Sequence, residues 1–96
     1  MTTVPSLIRN LAILDALLGR GARADLPLPT TECSFSEHGV KLQWDDPVDA
    51  QEWADFLGID LADFIADNGY FHATGTHDID GVKVQIVACH RLEVGV

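Results

Sequence analysis

The sequence predicts an α+β domain: a four-stranded, mostly antiparallel sheet of two hairpins, one amphipathic helix between them in the chain, and an apolar helix at the N-terminus. Three observations carry that prediction. Apolar residues recur at helical spacing near the N-terminus and again after Pro47; they alternate with polar ones up to Trp44 and from Val82; and glycine-containing turns separate the alternating segments. At 96 residues the chain suffices for one hydrophobic core and is too short for two. Residues 1–96 therefore read as a single domain, with the first helix in 1–20, a connector in 21–31, and the sheet and second helix in 32–96.

Leu7, Leu11, Leu14 and Leu18 follow one another at spacings of four, three and four, which puts them on one side of a helix that starts near Val4. Thr3 is the predicted N-cap, Pro5 takes the first turn, where a missing N–H costs no bond, and Gly19 is the predicted stop. Ile8, Ala12, Ile13 and Leu17 widen the apolar surface beyond one stripe. A helix this apolar is expected either to be buried on most sides or to meet another chain with its outer face. The segment GRGARADLPLPTT that follows holds glycines and prolines without a hydrophobic period and reads as a connector. Its Arg20 and Arg23 complement the negative pole of the helix before it.

Cys33, Phe35 and Glu37 share one alternating face, and Val40, Leu42 and Trp44 alternate with Lys41 and Gln43, so a hairpin is expected to turn at His38-Gly39. Asp46 then caps a helix with Pro47 at its first position; Ala50, Trp53, Ala54 and Leu57 form its buried stripe, and Gly58 ends it. Leu61, Phe64 and Ile65 recur at helical spacing and predict a single short helix or an irregular turn from Asp60 to Asn68-Gly69. The second hairpin is expected from 70–76 and 82–92, around Asp80-Gly81. The Trp53 helix packs on one sheet face in this reading, which leaves the first helix to cover the other face or reach a partner.

Lys+Arg total 6 against 15 Asp+Glu, a net charge of −9, and the imbalance is local. Between residues 32 and 69, Glu32, Glu37, Asp45, Asp46, Asp49, Glu52, Asp55, Asp60, Asp63 and Asp67 face Lys41 alone. Such a field repels nucleic acid and anionic membrane and favours a basic partner or high solubility. With no apolar run near the roughly 18 residues of a membrane span and no leader pattern, a cytoplasmic protein is expected.

Most chemistry fails on spacing. Cys33 and Cys89 lack a metal-type C-x-x-C arrangement and read as reduced thiols. His72 and His77 are expected on opposite faces of their strand, and neighbours Cys89 and His90 diverge likewise, so no metal site and no cofactor are predicted. Asp45, Asp46, Asp49, Glu52 and Asp55 lie on a solvent-facing helix and its cap, where nothing separates their pKa values for acid–base work. A cysteine nucleophile would need a histidine base in an electropositive pocket, against the local charge. Phosphate-loop, dinucleotide-binding, serine-elbow and zincin motifs are absent from the sequence. A non-enzymatic chain is expected.

The run L-P-L-P-T, the W-A-x-x-L-G helix of Trp53, Ala54, Leu57 and Gly58, and the G-V-x-V-Q strand of Gly81, Val82, Val84 and Gln85 resemble small proteins of high-GC actinobacteria and of their phages and mobile elements. The resemblance spans residues 26–88. It implies a shared α+β domain and carries over no catalytic residue.

Two roles follow. The first is a protein–protein interaction module that self-associates as a homodimer, with Leu7, Leu11, Leu14 and Leu18 as the binding residues. The second is an acidic decoy that occupies the basic site of a nucleic-acid-binding protein, with Asp45, Asp49, Glu52, Asp60, Asp63 and Asp67 presented like a row of phosphates.

Overall fold

The computed structural model describes residues 4–65 and 69–91. Its elements are α1 (Val4–Arg23), β1 (Glu32–Ser36), β2 (Gly39–Trp44), α2 (Pro47–Leu57), β3 (Ala62–Ile65), β4 (Tyr70–Ile79) and β5 (Val82–Arg91). The fold is α+β as expected, but the sheet has five strands rather than four, in the order β1-β2-β5-β4-β3. It is also mixed: β2 and β5 run parallel, from Val40↔Val84 to Trp44↔Ala88, and the other neighbours are antiparallel. The expected Thr3 cap, the end of the last strand at Leu92, and Asp67 with the Asn68 stop lie outside the described residues.

The added strand, β3, stands where a short helix or an irregular turn was expected. Ala62–Ile65 pairs antiparallel with β4, from Ala62↔Thr74 to Ile65↔Phe71. A four-residue apolar segment fits either period, and here β4 decides: its outer edge carries ladder groups that need partners, and β3 supplies them. The path to β3 is fixed by Gly58, in the left-handed region at φ 72°. The N–H of Ile59 donates to the Ala54 carbonyl at 2.8 Å and that of Gly58 to Asp55 at 3.4 Å, a Schellman ending that turns Ile59 into the core. The Asp60 carbonyl then crosses directly over Gly75, where a Cβ would lie 2.1 Å from that oxygen.

Helix α1 does not stop at Gly19. It runs one turn further and ends in the same motif: the N–H of Leu26 donates to Gly21 at 2.9 Å and that of Asp25 to Ala22 at 3.1 Å, with Asp25 at φ 60°. Gly21 belongs inside the helix because it is buried against Trp53, whose Cη2 and Cζ2 would stand 2.1 and 2.2 Å from a Cβ there. The two helices therefore lie on the same face of the sheet. The first helix does not cover the opposite face.

The core lies between helices and sheet. Leu14 and Leu17 of α1, Ala50, Trp53 and Ala54 of α2, Val40, Leu42 and Trp44 of β2, and Val82, Val84, Ile86 and Ala88 of β5 are buried there. The parallel register aligns the inward residues of the two central strands row by row. The connector is pinned at one atom: the indole N–H groups of Trp44 and Trp53 both donate to the Pro27 carbonyl, at 3.2 and 2.6 Å. Buried indoles need such an acceptor, and one carbonyl serves both. At its far end Thr30 donates to Asp45 at 2.7 Å. The opposite sheet face carries polar side chains, among them Ser34, Lys41, Gln43, Lys83 and Gln85.

Candidate interaction surface

The four leucines proposed as a binding stripe divide in the structure. Leu14 is 7% exposed and belongs to the core, so it faces the sheet and not a partner. Leu7 and Leu18 are half-buried, and Leu11 is 48% exposed. Beside them Ile8, outside the proposed set, is 61% exposed. The division follows the helical turn: Asn10, Leu14, Leu17 and Gly21 share the inner side, and Leu11 and Ile8 lie successively further around. On the other side of the helix, Arg20 lies over the Phe56 ring of α2 at 5.4 Å. The Leu11 side is thus turned away from α2, toward the flank where β1 is the outermost strand.

That edge is apolar on the helix-covered side. Cys33 and Phe35 pair with Leu42 and Val40, and Phe35 is 38% exposed. The opposite edge, β3, places Asp63 at the corresponding positions, paired with Ala73. A charge that points to the covered side of an edge strand opposes the addition of another strand. The five residues of β1 put none there.

The acidic residues are spread rather than aligned. Asp45 follows β2, with its carboxylate accepting from Thr30; Asp46 caps α2 by accepting from the Val48 N–H at 2.9 Å; and Asp49 and Glu52 lie on α2. Asp60 stands in the turn after the helix and Asp63 on β3, so the helical spacing that joined these to Asp49 and Glu52 is broken where the chain leaves α2. Asp67 lies outside the described residues.

Two hollows flank the β1–β2 turn. One, of about 250 Å³, opens on the uncovered sheet face between Ser34, Lys41, Lys83 and Gln85, with Lys41 paired to Glu32 at 3.6 Å. The second, of about 170 Å³, lies between Arg9, Asn10, His38, Asp78 and Lys83. Asn10, 2% exposed, donates through Nδ2 to the Ser36 carbonyl at 2.7 Å and ties α1 to the end of β1. Its Oδ1 is buried without a partner, which costs about 1–3 kcal/mol.

The histidines diverge as their spacing implies. His72 shares the uncovered face with Cys89, His77 pairs with Val84 on the helix side, and His90 lies 3.1 Å from the Asp45 carbonyl through Nδ1. Among the described residues no group of three or more His, Cys, Asp or Glu side chains is arranged to hold a metal ion. Burial pushes the Cys33 thiol up from its ordinary range.

Sequence reasoning missed one juxtaposition, the cross-strand pair His72 and Cys89, with Sγ 3.9 Å from Nε2. A signal for it was present. The Asp80-Gly81 turn makes Ile79 and Val82 partners, and counting outward from them brings His72 opposite Cys89.

Compared with known protein families, with curated proteins and with solved structures, the chain matches none.

Proposed function

We propose that the protein is a non-enzymatic interaction module that self-associates as a homodimer through the outer side of α1 and the edge of β1. The observation that carries this reading is the coincidence on one flank of exposed Ile8 and Leu11 with Phe35 on an edge strand free of inward charge. Charge supports the choice of a second copy. Each chain carries −9, so two copies approach best where acids are fewest, and α1 holds Arg9, Arg20 and Arg23 against Asp15 alone. A two-fold interface of this kind buries the same patch on both chains and closes on itself. No described helix is long and apolar enough to cross a membrane, and both cysteines are free; a reducing, cytoplasmic setting fits these features.

Light scattering coupled to size exclusion, over a range of concentrations and at low and high salt, tests the proposal. The expected result is a mass of two chains that persists or strengthens as salt rises, because salt screens the repulsion between the acidic copies. Leu11→Glu, at a position outside the core, is expected to give a folded monomer. A wild-type monomer at every concentration would overturn the dimer. Salt-sensitive capture of a basic, nucleic-acid-binding protein through Asp45, Asp49 and Glu52 would replace it with the acidic-decoy role.

A further inference from the structure

We propose that Cys89 and His72 form a thiol–imidazole pair that makes Cys89 a site of oxidation by small peroxides. The two residues are directly opposed on β5 and β4, and Sγ stands 3.9 Å from Nε2. This distance allows a thiol proton to pass to the ring nitrogen with little movement.

Arg91, two positions along β5 on the same face, pairs in register with Tyr70 beside His72. The Tyr70 and His72 rings lie 6.4 Å apart. On the β2 side Asp45 follows Trp44, the partner of Ala88, and its carboxylate is engaged by Thr30. Both Cys89 and His72 are half-buried in the sheet surface, which admits a small oxidant more readily than a bulky electrophile. Edge-to-edge association at β1 leaves this face open, so the site does not depend on the oligomeric state.

The step balances with peroxide as the oxidant. The thiol proton moves to His72 Nε2, the thiolate attacks one peroxide oxygen, the O–O bond breaks, and the departing hydroxide takes the proton from the imidazolium. Sulfur is oxidised to the sulfenic acid, and hydrogen peroxide is reduced to water. The product does not close onto Cys33 in the same chain. Strand β2 separates β1 from β5, a span of roughly 10 Å at ordinary strand spacing, against about 7 Å at most for bridged Cα atoms. The two cysteines also lie on opposite faces.

The test uses the intact chain with substoichiometric hydrogen peroxide and dimedone as the sulfenic-acid trap, followed by peptide mapping. Cys89 is expected to be trapped at least about tenfold faster than Cys33, and His72→Gln to bring Cys89 down to the rate of Cys33 while leaving Cys33 unchanged. Equal trapping of both cysteines in the wild type, or a His72→Gln chain with an unaltered Cys89 rate, would overturn the proposal. If His72→Gln unfolds the chain, both thiols react alike and the wild-type pH profile decides. A Cys89 rate that rises through the imidazole range supports the pair, and one that rises only in the thiol range refutes it.

Discussion

Replacing Gly21 by alanine tests how the two helices meet. A Cβ at this position stands 2.1 Å from Trp53 Cη2 and 2.2 Å from Cζ2, so the ring or the helix must retreat by more than about an ångström to reach ordinary contact. Such overpacking costs about 1–3 kcal/mol. Moving the ring also stretches the 2.6 Å bond from Trp53 to the Pro27 carbonyl, and a buried donor left unpaired costs about 1–3 kcal/mol more. Alanine returns about 1 kcal/mol through its higher helix propensity. The net expectation is a loss of about 1–5 kcal/mol, which lowers the melting temperature by about 4–8 °C for each kcal/mol in a domain this size. The control is Gly19→Ala on the same helix, where the nearest atom to a Cβ is Arg23 Nη1 at 3.5 Å; it is expected to stabilise by up to about 1 kcal/mol. Urea titrations followed by tryptophan fluorescence read both, because Trp44 and Trp53 lie in the core. Equal, stabilising effects of the two substitutions would refute the reasoning and would mean that α1 does not dock Gly21 on Trp53.

Asp25→Gly is expected to raise stability by about 0.5–1 kcal/mol in the same titration, because Asp25 holds φ 60° at a helix end where glycine carries no steric penalty and an acid meets the negative pole. Gly75→Ala is expected to destabilise by about 1–3 kcal/mol, since its Cβ meets the Asp60 carbonyl at 2.1 Å and Ile59 Cγ2 at 2.9 Å. The Cys33 thiol is pushed up by burial, so the folded chain keeps this proton to higher pH than the unfolded one. The stability linked to it is intact below the unfolded thiol's range and falls as pH rises through the folded value, and iodoacetamide labelling of Cys33 in the native chain should lag the denatured chain across that range. Asp63→Val is expected to carry the proposed dimer on to larger assemblies, read as rising mass by light scattering.

Local signals carried the elements that depend on local chemistry. Asp46-Pro47 marks the start of α2 and Gly58 its end, the Asp80-Gly81 pair makes the tight turn with φ values of 52° and 80°, and the alternation of Val40, Leu42 and Trp44 names the buried face of β2. The misread elements are those decided by distant neighbours. Gly19 and Gly21 look alike in sequence, and only Trp53, far along the chain, decides that neither stops the helix. Leu61, Phe64 and Ile65 fit a helix as well as a strand until β4 offers an edge. The parallel pairing of β2 with β5 joins segments some forty residues apart, and no local pattern encodes it. The leucine stripe shows the same limit. Spacing placed four leucines on one side of α1, but a half-turn arc spans both the core and the outer flank, and packing decides that Leu14 belongs to the first and Leu11 to the second.

The two edges of the sheet also explain why association would stop at two chains. A five-stranded sheet has two open ends, and if both accepted a neighbour, copies would add indefinitely. Here the ends differ. β3 is four residues long and carries the exposed Asp63 on the helix side of the sheet, and an inward-directed charge on a short edge strand opposes the addition of a neighbour. β1 carries Cys33 and Phe35 at the equivalent positions, flanked by exposed Leu11 and Ile8 of α1, and gains by being covered. In the proposed dimer, pairing through β1 would use the accepting edge of both copies at once, and the assembled pair would present only its guarded ends. On the proposed reading, one charged residue on a short strand would separate a closed pair from an open chain of copies.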